Sequence, residues 1–225
     1  MYGNPIVPRP KNEPVLTYAA GTPERAALTR ELEAQAAQIV DIPLMIGGRE
    51  VRTGDTFDVV MPHAHGHVIA RAHRAGPKEI EAAVVAALEA RHDWSRTPWE
   101  ERAAVFMRAA DLLAGPWRQK LNAATVLGQG KTAYQAEIDA ACETADFFRC
   151  NAHCSEIIDG MQPVSERGVW NHADYRPLEG FVYAISPFNF TAIGANLSGA
   201  PALMGNVVVW KPAHAAMLAG YYIMK

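Results

Sequence analysis

Residues 181–225 contain no Asp or Glu, and Lys211 and Lys225 are their only Lys or Arg residues. Within this stretch FVYAIS (181–186) and NVVVW (206–210) are β-branched and aromatic runs without polar alternation. That is the pattern of parallel strands covered on both faces. Between them a run of small residues predicts a helix from about Ala192 to Met204. Strand, helix and strand in this order close as a right-handed parallel crossover. HAAMLAGYYIMK then starts a further helix. Two parallel strands of a central type need neighbouring strands. The expectation is therefore an α/β protein of which this chain is the N-terminal portion.

The upstream sequence reads as an extended arm over 1–21, rich in proline and turn formers. A helix follows with Thr22 as N-cap and Pro23 in its first turn, running to about Val40. PLMIGG and REVRTG predict a hairpin turning at Gly47-Gly48. Short strands are expected near 56–61 and 68–73. Four helices come next: 77–94, one from Pro98 to about Gly115, one from about Trp117 to Leu127, and a long one from Thr132 past Phe148. MQPVSERGVWNHADYRP, 161–177, reads as two short strands.

Several patterns of chemical interest weaken on inspection. GQGKT at 128–132 suggests a phosphate loop, but the glycine required five residues before Gly130 is Thr125, and a helix precedes it. A helix-to-helix turn is the better reading, and triphosphate chemistry at Lys131 the poorer one. His63, His65 and His67 alternate, yet Pro62 and Gly66 mark a turn and no carboxylate or cysteine joins them. Cys142, Cys150 and Cys154 fall on one predicted helix as small apolar residues; an odd count of three argues against a disulfide framework. No metal site is expected. A net charge of -3 gives no electrostatic case for nucleic acid or an anionic membrane, and no apolar run approaches a membrane span. The start lacks a secretory or transit pattern, so a cytoplasmic address is the default, with the mitochondrial matrix open to a processed precursor.

The strand-helix-strand unit carries the stronger signal. Ligands of open parallel sheets gather beyond the carboxyl ends of the strands. Ser186 ends the first strand and Asn189 lies in the loop beyond it; Lys211 ends the second, where Pro212 stops it. Asn189 offers neutral N–H donors to an oxygen gaining negative charge. Lys211 offers a cationic donor to a ribose hydroxyl or a phosphate. The residues alone leave a plainer alternative open, with Asn189 bonding loop backbone and Lys211 solvated.

SPFNFTAIGANLSGAPALMGNVVVWKPA, 186–213, resembles the Asn-loop and cofactor-strand segment of aldehyde dehydrogenases. The SPFNFTAI form is similar to the 1-pyrroline-5-carboxylate dehydrogenase branch, which acts on L-glutamate γ-semialdehyde. VLGQGKTAYQAEIDAACETADFFRCNA and NEPVLTYAAGTPERAAL extend the resemblance over nearly the whole chain. It implies an aldehyde-dehydrogenase-like fold: part of a Rossmann-like NAD-binding domain with N-terminal helices and a hairpin, and a C-terminal catalytic domain absent from this chain. The implied divisions are an arm, hairpin and helical part at 1–160, the start of an oligomerisation flap at 161–180, and the first parallel unit of the NAD domain at 181–225.

The implied activity is oxidation of L-glutamate γ-semialdehyde to L-glutamate with NAD⁺, the second step of proline degradation. A cysteine thiolate adds to the aldehyde, hydride leaves to the nicotinamide, and a glutamate activates the hydrolytic water. By the same resemblance Asn189 is the side-chain oxyanion donor. Ser186 lies against the cofactor through its loop, and Lys211 binds the adenosine ribose. Phe190 lines the aldehyde pocket, and Glu143 is a substrate-side candidate. The nucleophile and base belong beyond residue 225, so this chain alone is expected to be inactive. Its expected partners are the aldehyde, the remainder of the enzyme chain, and further copies in a homodimer or higher homo-oligomer. One departure is His214, where many members carry a glutamate beside the ribose. Two alternatives stay open: a non-catalytic module docking through an unpaired sheet edge, and an aldehyde dehydrogenase of different specificity.

Overall fold

A computed structural model describes residues 6–225. The arm's first five residues lie outside the described residues; from Ile6 to Ala19 it has no helix or strand. Helix α1 (Pro23–Ala36) begins with proline after Thr22, whose hydroxyl donates to the Ala19 carbonyl at 2.9 Å instead of capping. The expected helix to Val40 stops four residues early. Val40–Ile42 forms strand β1, parallel to a later strand, with Val40 opposite Ala70. This non-local pairing overrides the local helical pattern.

β2 (Leu44–Ile46) and β3 (Arg49–Val51) form the expected hairpin. Gly47 and Gly48 both have positive φ, 56° and 72°, as a two-residue hairpin loop of twisted strands demands. β4 (Thr56–Met61) pairs antiparallel with β5 (Ala64–His73), giving the sheet order β1-β5-β4. β5 begins at Ala64, earlier than expected at Val68. The turn sits at Pro62-His63, and register shifts at Val59/Val60 and Val60/Met61 let the strand run through Gly66.

Helices α2 (Pro77–Trp94), α3 (Trp99–Ala114) and α4 (Arg118–Gln129) follow as expected. α4 ends on Gly130 at φ 66°, a left-handed C-cap. The long helix is composite: α5 (Ala133–Ala136), a π-helical segment Glu137–Glu143, and α6 (Thr144–Asp159). Segments of π-helix inside α-helices recur at functional sites.

The predicted crossover is present. β6 (Val182–Ile185) lies parallel to β7 (Val208–Lys211), joined by α7 (Thr191–Leu203). A 3₁₀ turn (His214–Ala216) leads into α8 (Met217–Met224). Ile69, Leu121, Phe148, Ala195, Leu218 and Tyr222 join sheet and helices in one core. Full cover of both strand faces is not found: Ala184 is buried, while Tyr183 and Ile185 are 54% and 58% exposed. Helix α7 packs on β6 and β7, and α2 on β7.

The two strands expected in 161–177 are also absent. Side chains replace a backbone ladder there. Gln162 exchanges bonds with Ala173, receiving its N–H at 2.8 Å; Asn171 donates to the Val164 carbonyl at 2.9 Å, and the Tyr175 hydroxyl to that of Met161 at 2.7 Å. Val164 and Trp170 are each 85% exposed on this excursion.

The arm is fastened by a buried charge cluster. Arg118 of α4 bridges Glu13 at 2.7 Å and the fully buried Glu137 of the π segment. Glu137 also accepts from the Leu16 N–H (2.8 Å), the Tyr18 hydroxyl (2.7 Å) and the Asn122 amide (2.8 Å). Tyr18 is held at φ 54°, a conformation costing a residue with a side chain about 1–2 kcal/mol. Burial by itself raises the Glu137 pKa, but Arg118 and the Leu16 and Tyr18 donors outweigh it and hold the carboxyl below its usual 4.5. Burial likewise opposes, and Arg149 and Arg118 reverse, the shift at Glu13, which is also lowered. Both carboxyls therefore release protons more readily folded than unfolded. Their stabilisation is complete above pH 4.5 and is lost as pH falls through the lowered folded values. Amide exchange at Leu16 should accelerate below pH 4.5, beyond the intrinsic pH effect. Protection that stays flat down to pH 3 would refute this linkage.

Candidate active site

The parallel register sets the geometry of the ligand edge. Ile185 lies opposite Lys211, and the Ser186 N–H donates to the Lys211 carbonyl at 3.3 Å. Ser186 and Lys211 thus share one edge of the sheet. The Ser186 side chain is buried and accepts the Trp210 indole N–H at 3.0 Å. Its hydroxyl braces the two strand ends against each other. Lys211 is exposed and has no side-chain partner among the described residues. His214 packs its ring on Phe57, centroids 4.3 Å apart, so this departure from the family pattern has a local packing role.

Beyond Ser186 the loop carries Pro187, Phe188, Asn189 and Phe190 to the start of α7. Asn189 is exposed, and among the described residues its amide has no hydrogen-bond partner. The plainer alternative, that this amide bonds loop backbone, is not what the structure contains. The residues around it are held firmly. Thr191 N–H and Ala192 N–H donate to the two carboxylate oxygens of Asp139, each at 2.9 Å. Asp139 belongs to the π segment and pairs with Lys131 Nζ at 2.6 Å. Lys131 Nζ also stands 4.3 Å from the centroid of the Phe190 ring. The Thr191 hydroxyl lies 2.8 Å from that of Thr125 and accepts from the Gln129 amide at 2.7 Å.

Glu143 closes the same π segment, which packs against α7. Burial, then the Asp139 charge, push its carboxyl above the usual carboxylate range; Lys131 opposes the shift, and Asp146 adds to it. Phe190 and Glu143 thus lie at the Lys131–Asp139 pair, with Asn189 preceding Phe190 in the loop, while Ser186 and Lys211 share the strand edge. GQGKT is a turn, as read: Gly130 ends α4, and Thr132 caps α5, accepting from Gln135 N–H at 3.2 Å. Its lysine is nonetheless part of the site's support, which sequence reasoning missed. The one available signal was a lysine and an acid eight residues apart across a helix start, too common a pattern to single out.

The cysteines differ from expectation in one respect. Cys142 is buried, but Cys150 and Cys154 are exposed on α6. Burial, then the neighbouring Glu137 charge, push the Cys142 thiol up to about 12, the reverse of an activated nucleophile. No metal-binding cluster of His, Cys, Asp or Glu occurs among the described residues, and His67 bonds the Ala36 carbonyl at 2.7 Å. No helix among them is long and apolar enough to cross a membrane.

A parallel strand-helix-strand unit with an exposed amide beyond its first strand and an exposed lysine ending its second presents polar groups at the edge where open α/β sheets bind ligands. The chain belongs to the aldehyde dehydrogenase family, whose model matches residues 50–225. It is similar to the Delta-1-pyrroline-5-carboxylate dehydrogenase of Agaricus bisporus, 50% identical over 221 residues, covering 97% of this chain and 40% of that protein. It is equally similar to the human mitochondrial enzyme of that name, 50% identical over 214 residues, covering 95% and 38%. Among solved structures, the Delta-pyrroline-5-carboxylate dehydrogenase of Mycobacterium tuberculosis superposes with a TM-score of 0.97 at 53% identity, over all of this chain and 42% of that one. The Mycobacterium enzyme has also been solved bound with NAD. The chain therefore spans about two fifths of the length of the curated relatives it matches.

Proposed function

We propose that the complete protein oxidises L-glutamate γ-semialdehyde to L-glutamate with NAD⁺, the second step of proline degradation, and that this chain supplies the oxyanion donor and part of the cofactor site. The observation that carries the proposal is the Asn189 amide, unpaired and exposed in a loop whose flanking residues are locked. A donor held ready without a protein partner suits an oxygen whose charge develops only during reaction.

The residues fit NAD. An unpaired lysine ends β7 at the edge where ribose hydroxyls of such cofactors gather, and the adjoining Ser186 loop presents backbone there. NAD⁺, when bound, supplies the hydride acceptor. Lys211 then holds the adenosine ribose, and Ser186 sets the loop against the cofactor. Asn189 donates to the oxygen of the thiolate–aldehyde adduct. Phe190 and Glu143 bound the aldehyde side. The nucleophilic thiol and the water-activating carboxylate come from the rest of the enzyme, since burial keeps Cys142 protonated and Cys150 and Cys154 belong to α6, the helix before the flap.

In the same reading, 1–160 forms the arm, hairpin and helical part, 181–225 the first parallel unit, and 161–180 the start of a flap that pairs subunits in a homodimer or larger assembly. The exposed Val164 and Trp170 support that role for the excursion. We assign the reaction to the cytoplasm; the mitochondrial form of several relatives makes the matrix the competing address.

The test is NADH formation by the purified complete protein with glutamate γ-semialdehyde, with acetaldehyde and succinate semialdehyde as comparison substrates. A higher kcat/KM for glutamate γ-semialdehyde is expected. A clear preference for either comparison aldehyde would remove the substrate assignment. Residues 1–225 alone should form no NADH.

A further inference from the structure

The N-terminus of α7 is capped in an unusual way. The N-cap position is Phe190, whose side chain cannot accept a hydrogen bond. Helices ordinarily place Ser, Thr, Asp or Asn there. The acceptor comes instead from Asp139, 52 and 53 residues away from the two N–H groups it takes. Its side chain is only 3% exposed, and Lys131 neutralises it at 2.6 Å. The same ammonium sits on the face of Phe190. Two consequences follow. The loop's exit is fixed to the π segment of another helix and not to its own sequence. And Asn189, which has a side chain able to cap, is left free to point elsewhere.

We propose that Asp139, charge-balanced by Lys131, is the positioning residue that holds the Asn189 loop in its working geometry. The inference rests on the oxyanion role proposed above for Asn189. Asp139 touches no reacting atom; it acts through the backbone of Thr191 and Ala192. Its carboxylate has two acceptor oxygens for two N–H groups, so an amide at this position would confront one N–H with its own N–H₂. The start of α7 would shift to relieve that contact. A misplacement of about 1 Å at a donor is enough to lower turnover up to about a hundredfold.

The test is a double-mutant cycle in the complete enzyme, using Asp139→Asn, Asn189→Ala and the pair. Expected are a fall in kcat of at least about tenfold for Asp139→Asn, an unchanged KM for NAD⁺, and a double variant within about twofold of Asn189→Ala. A loss from Asp139→Asn that is equally large with and without Asn189 overturns the proposal, as does an unchanged kcat. Should Asp139→Asn fail to fold, Lys131→Met and Lys131→Arg replace it: the first is expected to lose turnover and the second to retain it, and equal losses count against positioning. Amide exchange at Thr191 and Ala192 reads the clamp without any activity, and unaltered protection in Asp139→Asn also overturns it. If the wild-type enzyme does not oxidise glutamate γ-semialdehyde, the functional reading fails while the exchange result still judges the clamp.

Discussion

Replacing Asn189 with alanine in the complete enzyme is expected to lower kcat by roughly two to three powers of ten, the cost of losing one oxyanion donor. KM for NAD⁺ should hold, because the amide lies beyond β6 while the ribose contact is assigned to Lys211 at the end of β7. The folded state should be almost untouched: the side chain is exposed and has no partner among the described residues, so truncation leaves no buried group unsatisfied. Steady-state kinetics beside a melting curve will separate these effects. An unchanged kcat would take Asn189 out of the mechanism; a large fall in melting temperature would give it a structural role instead.

The second large effect is on stability. Arg118→Met removes the cation from a buried cluster and leaves Glu137 with only neutral donors from Leu16, Tyr18 and Asn122. Breaking a buried pair by deleting one partner costs about 3–5 kcal/mol. The loss should be concentrated in the arm, because Arg118 also holds Glu13 and the Pro14 carbonyl, the latter at 2.6 Å. Hydrogen exchange at Leu16, whose N–H binds Glu137, measures it directly. Arg118→Met combined with Glu137→Leu should recover only part of the loss: it removes the uncompensated charge but strands the Leu16 N–H and the Asn122 amide, which Glu137 accepted. A single variant with wild-type protection of the arm would show that the cluster is not what fastens it.

The sequence disclosed the parts of this molecule whose causes are local. The Gly47-Gly48 hairpin, the proline-started helices and the crossover between β6 and β7 each follow from a short pattern with one physical meaning. Asn189 drew notice because a polar amide in an apolar loop has few reasons to be there, and the structure leaves that amide exposed. The missed features depend on distant partners. Val40 reads as the last turn of a helix until Ala70 is brought beside it and Val40–Ile42 becomes a strand. The excursion at 161–177 has strand-like residues, but its amide side chains take up the bonding a ladder would need. Nothing in EIDAACE announces a π-helical segment, and so nothing brought Asp139 together with Thr191. The Lys131–Asp139 clamp lay hidden for the same reason, with its lysine inside a turn that looked complete in itself.

The buried acid at 137 has a consequence for how this protein emerges from the ribosome. Leu16 and Tyr18 are made 121 and 119 residues before the carboxylate they bind. At synthesis rates of about 5–20 residues per second, that interval lasts about 6–24 s. Throughout it the Leu16 N–H lacks its carboxylate acceptor, and the Tyr18 hydroxyl can reach at most the Gln119 side chain, 3.0 Å away in the folded protein. The arm is thus translated well before the carboxylate that completes its anchorage, and a nascent chain halted before residue 137 will hold it only through contacts such as Arg118 with Glu13 and the Pro14 carbonyl.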